Sequence, residues 1–337
     1  MSRSTQFRAL AVAILLAGCS DGAGKHKSPA NSTTTSGTTV SSGATTAGEP
    51  AESKPTPVAV ATAVPSYADA ERAFRRGHYE EAAGMFTAYT EHEPDNAWGQ
   101  YMLGLSSWKI GQHARALDAF DAALRLDPSH RKSLLNSARV LLETGRPQDA
   151  LERVERALAI EPLSAEGLRL KGRALYELGC YEEAIDAYQR TLALDDRDVW
   201  AMNNLGYLYI QQGRSDAALL PLARAVELRG NVPVFQNNFG TALERTGEFV
   251  AAREAYQAAL AADSTYEKAG VGLERVTVHG AQSDSSTVDV AALSREFQEQ
   301  IEQWRTRSAT ADSTTAGNSV TASDSATSGM VRDSTPQ

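Results

Sequence analysis

The amino-acid sequence predicts an all-α fold in which about six similar helix hairpins stack into a solenoid. Three observations lead to this prediction. Residues 203–225 and 237–259 restate each other at an offset of 34 residues. The same interval places small residues at fixed positions from residue 63 to residue 266. Apolar residues recur within each unit at helical spacing. Such a unit must stack on copies of itself to bury its apolar face.

The composition excludes several classes of protein. The chain has 337 residues, a net charge of −9 and a pI of about 5.3, so we do not expect general binding to nucleic acid. Only two cysteines occur, Cys19 and Cys180. Two cysteines are too few for a disulfide framework or a thiolate-rich metal site.

The first residues, MSRSTQFRALAVAILLAGCS, are organised as a secretory signal peptide, with two arginines before an apolar run at 9–17. A helix of that length cannot cross a hydrocarbon core of ~30 Å. The run ends in Leu16-Ala17-Gly18-Cys19, which resembles the bacterial lipobox. The resemblance implies removal of 1–18 and an acyl lipid such as palmitate on Cys19. Because Ser20 follows, it also implies an outer-membrane anchor that faces the periplasm. Ordinary signal-peptide cleavage is the alternative.

Both flanks of the repeat region have the composition of disordered chain. Residues 19–65 and 308–337 are dominated by Ser, Thr, Gly, Ala and Pro. Such segments cannot bury enough apolar surface to offset the entropy of ordering. We therefore expect a tether before the solenoid and a disordered tail after it.

The repeat itself explains the hairpin. The units begin at Ala63, Ala97, Arg131, Ala165, Val199 and Pro233. Position 15 is glycine in every unit, where the end of the first helix needs a positive φ. Small residues at positions 8 and 20 let two antiparallel helices approach closely, and a larger side chain at position 24 fills the space beside them. Pro147 falls at the start of a predicted second helix, whereas Pro221 falls inside one and should bend it.

This pattern resembles the tetratricopeptide repeat family, although the family's tryptophan at position 4 is missing. The resemblance implies a right-handed α-solenoid over 66–276 whose first helices line a concave face. A short capping helix is predicted over residues 266–276, and a polar linker over 277–287.

A further amphipathic helix is predicted over residues 288–307. Its apolar residues recur at spacings of three and four: Val290, Leu293, Phe297, Ile301 and Trp304. We expect it to dock on the end of the solenoid or in its groove. The alternative is a helix that binds a partner or a second copy of the chain.

The sequence contains no catalytic or cofactor motif. None of the six histidines has metal-ligand spacing, and no phosphate-binding loop is present. The run Asp195-Asp196-Arg197-Asp198 is interpreted as a helix cap between two units rather than as a cation site. We therefore expect no enzyme activity, no bound metal and no cofactor.

Candidate partner-binding residues follow from the family's concave positions. Asparagine at position 6 forms a broken row that could hold a peptide backbone or could satisfy local groups: Asn136, Asn204 and Asn238. Aromatic and arginine residues, the usual hot-spot types, fill the neighbouring columns: Trp98, Tyr101, Trp108, Arg139, Arg169, Arg173, Tyr176, Trp200 and Tyr207. Some of these could instead be buried between repeats. The arginines could hold a carboxylate or an acidic segment.

The sequence thus predicts a lipid-anchored scaffold of the cell envelope that binds a protein or an extended peptide in a concave groove. Two alternatives remain open. One is a self-assembling structural protein, with residues 288–307 filling a neighbour's groove. The other is a non-catalytic accessory subunit of an envelope enzyme.

Overall fold

A computed structural model of the chain describes residues 64–279 and 288–324, with side chains over 64–278 and 288–307. The signal peptide, Cys19, nearly all of the predicted tether, residues 280–287 and residues 325–337 lie outside the described residues. The described part contains fourteen α-helices and no strand, and it belongs to one compact unit that starts at Val64. The predicted all-α class is confirmed.

Thirteen of the described helices alternate as the two arms of successive hairpins. The odd-numbered helices are α1 (Tyr67–Arg75), α3 (Ala97–Lys109), α5 (Arg131–Glu143), α7 (Ala165–Glu177), α9 (Val199–Gln211), α11 (Pro233–Thr246) and α13 (Glu267–His279). The even-numbered helices are α2 (Tyr79–His92), α4 (His113–Leu126), α6 (Pro147–Ile160), α8 (Tyr181–Leu194), α10 (Ser215–Leu228) and α12 (Phe249–Ala262). Helix α13 has no partner arm in the described residues and caps the array. The last helix, α14, is Val290–Asp324.

The turn inside each hairpin is built on the position-15 glycine. All six of these glycines have positive φ: Gly77, Gly111, Gly145, Gly179, Gly213 and Gly247, with values from 70° to 91°. In the first hairpin the backbone N–H of His78 donates to the carbonyl of Ala73 at 3.1 Å, and the other five turns repeat this bond. A residue with a side chain is strained at this φ, so the glycines set where every first arm ends.

The two arms of a hairpin approach closely because a glycine faces a large side chain. In the fourth hairpin Gly172 of α7 lies against the ring of Tyr188 of α8, and a Cβ at residue 172 would come within 2.7 Å of that ring. Gly104 and Gly240 face Phe120 and Tyr256 in the same way. The small and large positions seen in the sequence are therefore complementary surfaces of one interface.

The contacts between helices define two faces. Each odd-numbered helix from α1 to α11 contacts the next odd-numbered helix, whereas within residues 64–279 no two even-numbered helices contact each other. Elements on the inside of a curve lie closer together than those on the outside. The odd-numbered helices therefore line the concave face, as predicted, and the even-numbered helices form the convex face.

Helix α14 does not dock where we expected. It contacts α10 and α8 on the convex face, not the end of the solenoid and not the concave face. Phe297, Ile301 and Trp304 are buried there. The surface of α8 and α10 that α14 covers is called its seat. In this seat Leu220 adds an apolar side chain at a position that is Gly84, Asp118, Glu152, Asp186 or Glu254 in the other even-numbered helices.

The backbone of α14 also continues to Asp324, whereas the sequence predicted disordered chain from residue 308. None of the helices in the described residues is both long enough and apolar enough to span a bilayer.

We expect Gly172→Ala to lower the free energy of unfolding by about 1–3 kcal/mol, because the new methyl group would collide with Tyr188. Gly84→Ala is the matched control. Gly84 lies inside α2 with nothing within 4 Å of its Cβ position, so alanine should stabilise the helix by up to ~1 kcal/mol. Urea unfolding followed by circular dichroism measures both, and equal midpoints for the two variants would contradict the packing argument.

Candidate partner-binding face

Polar side chains link neighbouring repeats across the concave face. Asn136 Nδ2 donates to the hydroxyl of Tyr101 at 3.2 Å, and Asn136 Oδ1 accepts from Arg139 Nη1 at 2.7 Å. The same guanidinium donates from Nη2 to Glu166 at 2.6 Å. This chain runs through α3, α5 and α7. It ties the second repeat to the third and the third to the fourth.

The other two candidate arginines are also paired. Arg169 Nε donates to Asp198 Oδ2 at 2.7 Å, and Arg173 Nε donates to Glu177 at 3.0 Å. Asp198 additionally caps α9, where Oδ1 accepts from the backbone N–H of Trp200 and of Ala201. The interpretation of the acidic run 195–198 as a cap is thus confirmed at Asp198. No arginine of this trio presents an uncompensated charge.

The asparagine row makes contacts within the protein. Asn136 and Asn238 are each 7% exposed. Asn238 Nδ2 donates to Asn203 Oδ1 at 2.9 Å, which joins α11 to α9. Asn204 is half-buried, and its Oδ1 accepts from Asn203 Nδ2 at 3.5 Å. The structure thus gives these amides an internal hydrogen-bonding role, one of the two roles that the sequence left open.

Several hydrogen bonds between neighbouring repeats join residues that are 35 positions apart in the sequence rather than 34. Besides Tyr101–Asn136 and Asn203–Asn238, they are Trp108–Glu143 and Ile210–Arg245. Sequence reasoning compared equal positions at an offset of 34 and therefore missed Asn203 and Glu143. Matching polar residues at an offset of 35 would have found them.

The exposed part of the concave face is aromatic. Trp98 is 48% exposed, Trp200 is 44% exposed and Tyr207 is 38% exposed. The partners of the last two lie on the next or the preceding odd-numbered helix: Trp200 packs edge-on against Phe235, and Tyr207 against Tyr176, with ring centroids 5.0 and 5.9 Å apart. Each ring is held in place while one side stays open to solvent.

Trp98 is the centre of a small cluster. Its ring lies 4.6 Å from the ring of His130, and the Lys132 ammonium lies 5.2 Å from the Trp98 ring centroid. Burial lowers the pKa of His130, which keeps this imidazole neutral near pH 7. The exposed cation at this end of the face is therefore Lys132, which the sequence reasoning did not select.

Tyr101 and Trp108 contribute more to the packing than to the surface. Tyr101 is buried, and burial raises the pKa of its hydroxyl. Trp108 is half-buried and donates from Nε1 to Glu143 at 2.7 Å. Tyr176 is also half-buried. Its burial, with the neighbouring Tyr207 hydroxyl, raises its pKa to about 12, so it stays a neutral hydrogen-bonding group.

The two faces differ in charge. The odd-numbered helices α1 to α13 carry twelve Lys/Arg and eight Asp/Glu, a net charge of +4. The even-numbered helices α2 to α12 carry seven and fourteen, a net charge of −7. The helices that line the concave face are thus the more basic arms of an acidic protein. Among the described residues, no group of three or more His, Cys, Asp or Glu is placed to hold a metal ion.

Comparisons with known proteins agree with this architecture. Family models described as tetratricopeptide repeat match residues 67–131, 135–199 and 187–219. A search of curated proteins found no match.

Three solved structures illustrate the similarity. The APC/C hetero-tetramer Cut9-Hcn1 shares 19% identity over 61% of this chain and 41% of that chain, with a TM-score of 0.56. A tetratricopeptide repeat protein from Parabacteroides merdae has 15% sequence identity over 62% of this chain and 81% of its own chain, with a TM-score of 0.52. At these identities the two show the fold alone. MamA from Desulfovibrio magneticus has 27% sequence identity over 47% of this chain and 90% of its own chain, with a TM-score of 0.45.

The stacked hairpins and the exposed aromatic face define a repeat scaffold for contacts with other proteins. The repeats at residues 67–131 and 135–219 belong to the tetratricopeptide repeat family, whose repeats are generally non-catalytic modules of protein interaction.

We expect Asn136→Ala to lower the free energy of unfolding by about 1–3 kcal/mol, because it leaves Tyr101 and Arg139 without their buried partner. Lys132→Ala, an exposed change on the same helix, should stay within about 0.5 kcal/mol of wild type. Denaturant unfolding of both variants is the measurement. Asn136→Ala as stable as Lys132→Ala would show that the link contributes nothing.

Proposed function

We propose that the protein is a lipid-anchored scaffold of the cell envelope whose concave face binds an extended segment of a protein partner. The exposed aromatic rings of Trp98, Trp200 and Tyr207 carry this proposal. Aromatic side chains with one open side provide large, rigid contact areas at low entropic cost, and they are enriched among binding hot spots. The concave surface of a solenoid is long enough to contact such a segment over several repeats.

The partner is recognised mainly through its side chains. The amides of Asn136 and Asn238 and the three candidate arginines already have partners within the protein, so a partner would have to replace those bonds. The rings are open without any such exchange. Apolar or aromatic side chains on the partner, which can stack on these rings, therefore supply most of the contact.

Acidic residues on the partner supply orientation. The odd-numbered helices have a net charge of +4 and the even-numbered helices −7, so an acidic segment is attracted to the concave face and repelled from the convex face. Lys132 beside Trp98 gives one exposed cation next to an aromatic ring. This electrostatic part acts over about a Debye length, ~8 Å at physiological ionic strength, and weakens as salt is added.

The envelope location rests on the amino-acid sequence at the start of the chain. The apolar run that ends at Leu16-Ala17-Gly18-Cys19 resembles the bacterial lipobox, and the composition of residues 20–65 is that of a flexible tether. A lipid on Cys19 would hold the solenoid near a membrane surface, with the tether setting the distance.

A displayed library of random twelve-residue peptides tests the partner-binding face. The immobilised full-length protein in detergent should enrich peptides that combine acidic and aromatic residues, and added salt should weaken their binding. Trp98→Ala combined with Trp200→Ala should reduce binding of the selected peptides by at least about tenfold, since two hot-spot rings are worth more than 1.4 kcal/mol together.

Leu163→Ala is the matched control, because Leu163 is a large exposed apolar residue between α6 and α7 that is outside the aromatic cluster. It should bind like wild type. Equal binding by the control and the double variant, or a wild-type protein that enriches no peptide, would reject the concave aromatic rings as the binding face.

Growth of the source cells with radiolabelled palmitate tests the anchor. Wild type and Cys180→Ala should incorporate the label, and Cys19→Ala should not, because the lipid thioether forms on the sulfur of Cys19 alone. An unlabelled wild-type protein in which mass spectrometry finds a reduction-sensitive link between Cys19 and Cys180 would contradict the anchor, since one sulfur cannot form both bonds.

A further inference from the structure

Helix α14 spans a gap that the repeats leave open. On the concave side, neighbouring odd-numbered helices contact each other and are linked by side chains such as Asn203 and Asn238. On the convex side, α8 and α10 do not contact each other within the described residues, but both contact α14. The angle between the fourth and the fifth repeat is therefore restrained from the convex side by α14.

The two ends of the docked part are fixed to different repeats. Near the start of α14, Ser294 Oγ accepts from Arg224 Nη1 of α10 at 3.3 Å and donates to the Glu227 carboxylate of the same helix. Near the other end, Arg305 Nε donates to the carbonyl of Ala193 in α8 at 3.0 Å, and its guanidinium lies 3.6 Å from Asp196.

Three apolar side chains fill the space between these polar ends. Phe297, Ile301 and Trp304 are at most 9% exposed and belong to the same hydrophobic cluster as the cores of the fourth to the sixth repeats. The rings of Phe297 and Trp304 pack edge-on with centroids 5.7 Å apart. Close packing of this kind resists changes in the spacing of the helices on either side.

The restrained junction is the one that carries the second aromatic group of the concave face. The Tyr176–Tyr207 ring contact crosses from the fourth repeat to the fifth, and the Arg169–Asp198 ion pair joins α7 to the residue that caps α9. A change in the angle between α8 and α10 on the convex side must change the separation of these groups on the concave side, because each hairpin moves as a packed unit.

We propose that Phe297, Ile301 and Trp304 are positioning residues for the concave face. By docking between α8 and α10, they hold the fourth and fifth repeats at the spacing in which Tyr176, Trp200 and Tyr207 form one surface. The effect on binding rests on the proposed function, whereas the effect on spacing does not. Removal of α14 from its seat frees this junction and leaves the first three repeats unchanged.

Electron spin resonance distances test the spacing without a partner. Genetically encoded spin labels are placed at the exposed residues Glu183 in α8 and Asp216 in α10 of the full-length protein, so that both native cysteines stay in place. The wild type should give one narrow distance distribution. The triple variant Phe297→Ala, Ile301→Asp, Trp304→Ala should give a broader or shifted one.

Gln298→Ala with Glu299→Ala is the matched control, because both residues face solvent on the same helix. It should reproduce the wild-type distances. Trypsin cleavage at Arg295 and Arg305 reports the release of α14, and circular dichroism reports that the solenoid stays folded. Unchanged distances in the triple variant would overturn the proposal, whether α14 is released or still docked, because in neither case would the three side chains set the spacing.

Binding of a peptide selected on the wild-type protein gives the second readout. The triple variant should bind it at least about fivefold more weakly, and the control variant should bind it normally. Altered distances with unchanged binding would overturn the coupling to the concave face. A failure to select any peptide counts against the proposed function alone, and the distance measurement then decides whether α14 sets the spacing.

Discussion

The structure depends on the close approach of the two helices in each hairpin. A glycine or an alanine on the odd-numbered helix receives a ring or a branched side chain from the even-numbered helix, as Gly172 receives Tyr188. That contact brings the backbones together and aligns the apolar sides of both arms toward the next hairpin. A lone hairpin would leave those sides in water, so the contact inside one unit and the stacking of units stabilise each other. The concave face follows from this arrangement, because it is the side on which the first arms meet.

This constraint also explains which parts of the fold the sequence predicts. Each repeated feature has one structural cause, and that cause recurs in all six units. These features are the interval of 34 residues, the turn glycines and the small residues at the helix contact. The arms of the hairpins could therefore be derived before any coordinates, whereas the concave face of the first arms was implied by the resemblance to the tetratricopeptide repeat family. Helix α14 is different because it occurs once. Its seat shows in the sequence only as a departure from the repeat, where Leu220 replaces an acidic residue or a glycine and Pro221 lies inside α10.

The candidate site was predicted less completely than the fold. Residue type and position placed Trp98, Trp200 and Tyr207 on the concave face and at the surface. Position alone could not show that Asn136 and Asn238 would be buried. Their partners lie one position away from the aligned column in the neighbouring repeat. Some polar groups on such a face form hydrogen bonds between repeats, and others are available to contact a partner. The division between these roles is set by distances of a few ångströms, which an amino-acid pattern does not contain.

The place of α14 has a consequence for how such an array can change in length. Repeats added or lost before α7 would leave the α8 and α10 seat intact, because α14 contacts no earlier helix in the described residues. An extra repeat after α10 would move the end of α13 farther from the seat by about the 8–10 Å that separates packed helices. The array is therefore open to growth at its amino-terminal end, whereas a change in repeat number after α10 alters the distance between the end of α13 and the start of α14.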